Sequence, residues 1–425
     1  MNSQPSTEQR SSAPGGAATV PPQPAQEPGV SAPSPDAVQR LVDRAGHFNV
    51  FSLPDRNAAS PGIPGPGDAR GVIGWRIHEV LHRFDITSQA PTAQAPLRAR
   101  NRVGEAVGRF THRWMLTPDD FVAAPDREPP PTPLDPSRSQ RFVMLDGTCT
   151  FGSGEDGFRG FGAGHTVPGT VNGQPQLLAT AVGTILEGFG KFRGHEEGTY
   201  LYCGTLTPQR GFQGNLLLRV VDRQETFRAD GPFPALEPRR DPEPGVTYLM
   251  FRGQAIPSDP VTPRIGPDGQ PAGLTVVQGL RLLELDCKAR GRGGVQSTDR
   301  VGALIGRITA HVNFNPAAPG GTALDPIPFT TYDEFVFLDK EGRKVGGFTG
   351  DSSEGRVFGT QISGLPGIRF GGVGQALSGT GPFEGINGLM TDNSLVLFNP
   401  HVSASIYLLR VEDPHGRFRA AIRRT

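Results

Sequence analysis

His78-Glu79-Val80-Leu81-His82 is an H-E-x-x-H. On a helix that spacing sets two imidazoles on one face for a zinc ion, with the glutamate as general base of a hydrolase. Glu105 and His112 follow at a reach that suits a third ligand. Such a hydrolase needs a substrate-aligning sheet ahead of the helix, and the preceding sequence offers a polar tail and one short helical stripe. The expectation is therefore that no metal is held, with a zinc-dependent hydrolase through His78-Glu79-x-x-His82 kept as an alternative. A second set of groups is Glu187, His195 and Glu196. A carboxylate and an imidazole within one glycine-rich strand and its turn form an acid/base pair, and desolvation in a lumen would shift their pKa values. They are the expected catalytic residues, with His165, Phe189, Phe192 and Tyr200 as the expected ligand-binding residues. Gly152-Ser153-Gly154 and Gly190-Lys191 lack the strand, loop and helix order of a phosphate site, so no cofactor is expected.

The elements that must position these groups are written twice. Residues 182–194, VGTILEGFGKFRG, recur as VGQALSGTGPFEG at 373–385, with seven identities in 13 positions. Residues 217–229, LLRVVDRQETFRA, recur as LLRVEDPHGRFRA at 408–420, with eight in 13 and the same offset of 191. Arg141 to Asp146 also matches Glu334 to Asp339, which extends the duplication over about 90 residues, the size of a small domain. Residues kept in both copies, such as Arg219 with Arg410 and Asp222 with Asp413, serve the shared fold. Function belongs where the copies differ, and Glu187, His195, Glu196 and His165 are peculiar to the first.

Residues 1–35 hold eight prolines and no Leu, Ile, Phe, Tyr or Trp, so they read as a disordered tail. From 36 to 136 the apolar spacing is helical: Val38, Leu41 and Val42, then Ile73, Ile77, Val80, Leu81 and Phe84, then Val103, Val107, Phe110 and Trp114. Prolines at 129–131, 133 and 136 close that region. Beyond it come short β-branched and aromatic runs punctuated by glycine, which predict a mainly β fold. Residues 137–325 form a first β-barrel repeat with additional strands, and residues 326–425 a second. Gly188, Gly190 and Gly194 fall on one face of a strand at period two, as a barrel corner requires.

Gly379-Thr380-Gly381-Pro382-Phe383-Glu384-Gly385-Ile386-Asn387-Gly388 resembles the G-T-G-x-F-x-x-x-x-G segment of the allene oxide cyclase and dirigent barrel superfamily. The first copy repeats it with one inserted residue before Gly198. The resemblance covers about 20 residues per copy. It implies eight-stranded antiparallel barrels with an apolar lumen, often trimeric, whose members cyclise or couple reactive small molecules without a cofactor. The catalytic residues of the plant cyclases lie outside this segment, so it assigns no role to a numbered position here.

Lys plus Arg equals Asp plus Glu at 42 each and the pI is about 7.1, so the electrostatic footprint of a nucleic-acid or anionic-membrane binder is absent. Cys149, Cys203 and Cys287 are widely spaced, as buried free thiols in a reducing compartment are. With no apolar signal stretch or membrane span, the chain reads as cytoplasmic. Arg outnumbers Lys 38 to 4, which suggests a GC-rich bacterium. The expected function is small-molecule binding in a barrel, with cofactor-independent isomerisation or cyclisation of an apolar substrate. The alternative is a non-catalytic ligand-binding or accessory scaffold. The expected partners are a small apolar molecule and either a partner enzyme or further copies of the chain.

Overall fold

The computed structural model describes residues 34–43, 45–66, 71–171, 174–207, 211–222, 224, 226, 227, 243–259, 261–267, 269, 271–289, 295–314, 321–323, 326–362, 364–398 and 401–420. The tail expected over 1–35 lies, up to residue 33, outside the described residues. Helix α1 (Pro35–Asp43) buries Val38 and Val42 against Leu395, Leu397, Val402 and Ala404. Among the described residues after it, the regular structure is a large antiparallel sheet with two short 3-10 turns.

The strands fall into two series. The first is β1 (Ala45–Pro54), β2 (Gly62–Pro64), β3 (Val72–Gln89), β4 (Arg98–Thr117), β5 (Gln140–Phe151), β6 (Asp156–Val171), β7 (Gln174–Phe189), β8 (Thr199–Thr207) and β9 (Gly211–Val221). The second is β10 (Val246–Ala255), β11 (Thr262–Ile265), β12 (Pro271–Ala289), β13 (Val295–Phe314), β14 (Ile327–Leu338), β15 (Lys344–Ile362), β16 (Leu365–Thr380), β17 (Gly388–Phe398) and β18 (His401–Glu412). From β3 to β9 each strand pairs antiparallel with the next, and β1 pairs with both β3 and β9, so the ladder returns to its first strand. The same holds from β12 to β18, with β10 pairing both β12 and β18.

The helical region expected at 36–136 is, beyond α1, three long strands of the first ladder and one short one. The buried positions of β3 alternate, Ile73, Trp75, Ile77, Glu79 and Leu81, and resume at Phe84 and Ile86. Register shifts around His82 mark a β-bulge, which moves the phase by one residue and turns a spacing of two into three. Together with half-buried Val80, that shift imitates the i, i+3, i+4, i+7 stripe of a helix. In β4 the buried residues Phe110, His112 and Trp114 alternate with half-buried ones before a continuous buried run to Thr117, and the apparent helical step from Phe110 to Trp114 passes over a buried histidine.

Strand for strand the two series correspond, β4 and β13 with 20 residues each and β7 and β16 with 16 each. The duplication therefore spans both ladders, and its boundary lies between Val221 and Val246 rather than at residue 325. The strands assigned as additions to a first repeat are the opening half of the second. The match of 141–146 with 334–339 is also displaced: Phe151 stacks on Phe192 at 5.4 Å while Phe337 stacks on Phe383 at 4.5 Å, so Phe151 and Phe337 are the equivalent pair. The near-continuous burial of Leu216, Leu217, Leu218 and Val220 has a simple cause. Leu216, Leu218 and Val220 pack in the first half's core with Phe48 and Tyr202, whereas Leu217 joins Tyr248 and Leu409 of the second half. A strand apolar on both faces is one that has protein on both faces.

Candidate functional site

Register sets Arg141 of β5 directly opposite His165 of β6. From the second half, β15 contributes Glu354 and Arg356, two residues apart and so on one face, just past a register shift between Ser352 and Glu354. Imidazole Nε2 of His165 lies 2.5 Å from Glu354 Oε2, while Arg356 and Arg141 donate to Glu354 Oε1 at 2.8 and 3.2 Å. Burial alone would raise the Glu354 carboxyl, but the hydrogen bond from His165 and the charges of Arg356, His165 and Arg141 outweigh it and hold the group well below the usual carboxylate range. The site opens on a groove of about 750 Å³ walled by Phe121, Phe314, Pro328 and Phe329, within the size range of small-molecule pockets. A carboxylate fixed on Nε2 holds the proton on that nitrogen and leaves Nδ1 basic, the arrangement of an oriented general base.

A second constellation lies in the interior of the first half. Glu79 of β3 faces inward, accepts the hydroxyl hydrogen bond of Tyr202 from β8, and has His112 Nε2 of β4 at 3.5 Å. All three are buried, and burial pushes the Glu79 carboxyl above its ordinary range, with the neighbouring His112 and Ser52 opposing it. Aromatic rings fill the space around them: His112 stacks on Phe110 at 4.5 Å, Trp114 on Phe142 at 4.2 Å, and Tyr202 lies 3.9 Å from Phe212. The zinc alternative fails on this geometry. His78 and His82 sit on a strand, where four residues span about 13 Å and Glu79 points to the opposite face. Among the described residues no three His, Cys, Asp or Glu side chains are placed to hold a metal.

Of the residues expected from sequence, His165 is in the groove and the others lie elsewhere. Glu187 is no lumen residue: the β6–β7 register pairs it with Arg159, and the two form an exposed ion pair at 2.9 Å. Glu196 accepts the backbone N–H of Gly194 at 3.2 Å and of Gly188 at 3.4 Å, so its carboxylate ties down a turn. His195 lies 5.2 Å from the ring of Phe227 and shares with Glu196 a separate polar cleft of about 380 Å³. Phe192 is core, 4.7 Å from Phe227 and 5.6 Å from Phe48. Phe189 is half-buried over Gly157. Tyr200 is buried against Gly183, with its phenol pushed above its ordinary range by burial and the neighbouring Cys149. The glycine run is not one strand face either, because β7 ends at Phe189, Gly190–Phe192 is a 3-10 turn, and Gly190 and Gly194 have φ of 59° and 81°.

Glu354, Arg356 and Arg141 carry no motif, and their meeting depends on how the halves pack. Glu79 and His112 were visible in the H-E-x-x-H reading, and alternation at period two would have turned both inward. Among the described residues no helix is long and apolar enough to cross a membrane, and the three cysteines are buried and free. No protein-family model matches this sequence, and neither the curated proteins nor the solved structures contain a match to it.

Proposed function

We propose that this protein binds a largely apolar small molecule in the groove between its halves and moves a proton on it with His165, a cofactor-independent isomerisation or cyclisation. The observation that carries this reading is the His165–Glu354 pair at 2.5 Å, set beside Phe121, Phe314 and Phe329 and reachable from solvent. His165 Nδ1 takes a proton from carbon next to a carbonyl and returns it elsewhere on the same ligand. Glu354 stabilises the imidazolium formed in between, and the phenylalanine wall excludes water. The pairing of eight strands in each ladder supports a fold of two tandem barrels like those of the allene oxide cyclase and dirigent superfamily. Binding without turnover is the second reading, favoured by the packed aromatic interior that such a barrel would otherwise use as its lumen. Incubation of the full chain with a panel of aryl methyl ketones in D2O, followed by proton NMR, tests both. Exchange that falls about a hundredfold in His165→Gln supports proton transfer. Binding without exchange leaves the second reading, and binding of no member overturns both.

A further inference from the structure

The groove carries more positive than negative charge at its floor. Arg141, Arg356 and Glu354 are 20%, 16% and 6% exposed, so two guanidiniums stand against one carboxylate in a partly desolvated place. The nearby Asp119 and Asp120 are exposed on the rim, where water screens them. Arg141 is committed: its Nη1 donates to the backbone carbonyls of Asp119 and Phe121 and its Nη2 to Glu354. Among the described residues Arg356 gives one amino group to Glu354, and its remaining N–H groups take no other partner. A planar guanidinium with donors to spare beside an aromatic wall matches a planar anion on an aromatic body, because the fork binds two oxygens at once while the ring packs on phenylalanine.

Resting on the reading of the groove as a ligand site, we infer that its ligand is an aromatic monoanion of the arene-carboxylate class, oriented by Arg356 with its ring system against Phe314 and Phe329. The negative group replaces water on the unspent donors of Arg356 and balances the floor's excess charge.

Isothermal titration of the full chain with 2-naphthoate and with 2-naphthol, its uncharged counterpart at neutral pH, tests this. The expected result is at least tenfold tighter binding of naphthoate, a preference reduced to about twofold in Arg356→Gln and kept in part by Arg356→Lys, with both ligands weakened in Phe329→Ala. Thermal midpoints of the variants within a few degrees of the parent's show that the effects are local, and the lysine variant, which keeps the charge beside Glu354, covers a loss of folding in Arg356→Gln. Equal binding of the two ligands, both weakened in Phe329→Ala, overturns the anion class while the groove survives as a site. Naphthoate binding that ignores both Arg356 and Phe329, or no binding of either ligand, overturns the groove and the inference together.

Discussion

Two carboxyl groups, the buried Glu354 and the half-buried Asp392, respond to pH in opposite directions. Glu354 is held below its unfolded value by His165, Arg356 and Arg141, so the stability it contributes is present above about pH 4.5 and is lost as the pH falls toward the folded value. Asp392 is raised from 3.8 to about 7, chiefly by burial, with the Ser394 hydrogen bond and Arg219 opposing. Its contribution is present below about pH 3.8 and is lost as the pH rises through 7. Glu354→Gln should therefore lower stability near pH 7 by about 2–3 kcal/mol, since it leaves paired guanidiniums without their carboxylate, and the deficit should close in acid. Asp392→Asn should be more stable than the parent at pH 8, by on the order of 1 kcal/mol, and indistinguishable from it near pH 4. Urea denaturation of the three proteins across that range checks both, and parallel pH profiles would rule out this account of either residue.

At the scale of elements, the glycines decide where a strand can end and what can lie on it. A Cβ on Gly188 would sit 1.9 Å from the carbonyl oxygen of Phe192, and one on the equivalent Gly379 would sit 1.9 Å from that of Phe383. Both glycines let a strand run directly into a 3-10 turn that folds back over it. Alanine at either should cost about 3 kcal/mol, because a backbone oxygen cannot step aside. Gly194 and Gly385 have φ of 81° and 71° with no close neighbour beyond a distant arginine, so alanine there should cost only about 1 kcal/mol. Gly183 is of a third kind: its Cβ would meet the Tyr200 ring at 2.0 Å, and a smaller side chain at 200 should restore part of the loss. Chemical denaturation of the five alanine variants, with Gly183→Ala/Tyr200→Leu added, should rank them in this way. Equal losses at Gly188 and Gly194 would defeat the ranking.

At the scale of the whole molecule, the residues repeated in both copies stitch the halves together. Arg219 of β9 reaches across to donate to the carbonyls of Asn393 and Ala404 at 3.0 and 2.7 Å. Its counterpart Arg410 of β18 donates to Thr205 of β8 at 2.9 Å and is paired with buried Glu243. Asp222 and Asp413 instead accept backbone N–H groups of Phe227 and Phe418, each folding a phenylalanine over the end of its own half. Residues 35–425 form one compact unit, and calorimetry should show one cooperative transition. Arg410→Met, which strands the Glu243 carboxylate, should lower stability by about 3–5 kcal/mol, and the double variant Arg410→Met/Glu243→Gln should recover much of it. No recovery in the double variant would mean that Arg410 acts through packing alone.

The sequence reads as mainly β and doubled, because alternation, glycine punctuation and a repeated strand-turn-strand text are local properties of the polypeptide. It also placed α1 and the buried thiols. It misread β3 as a helix, since a single bulge at His82 shifts the apolar phase and no local signal announces a bulge, and β4 because a buried histidine stands within its apolar alternation. It fixed the offset of the repeat at β7 and β9 but displaced it by several residues at β5, where repeated aromatic residues permit more than one alignment. The groove was beyond its reach. His165 could be singled out as peculiar to one copy, but Glu354 lies 189 positions away on the other half, at a register shift, and only the docking of the two halves brings a carboxylate to that imidazole. Long-range proximity of that kind is a property of two docked surfaces, each specified by residues distant in the chain, so tertiary structure alone decides it.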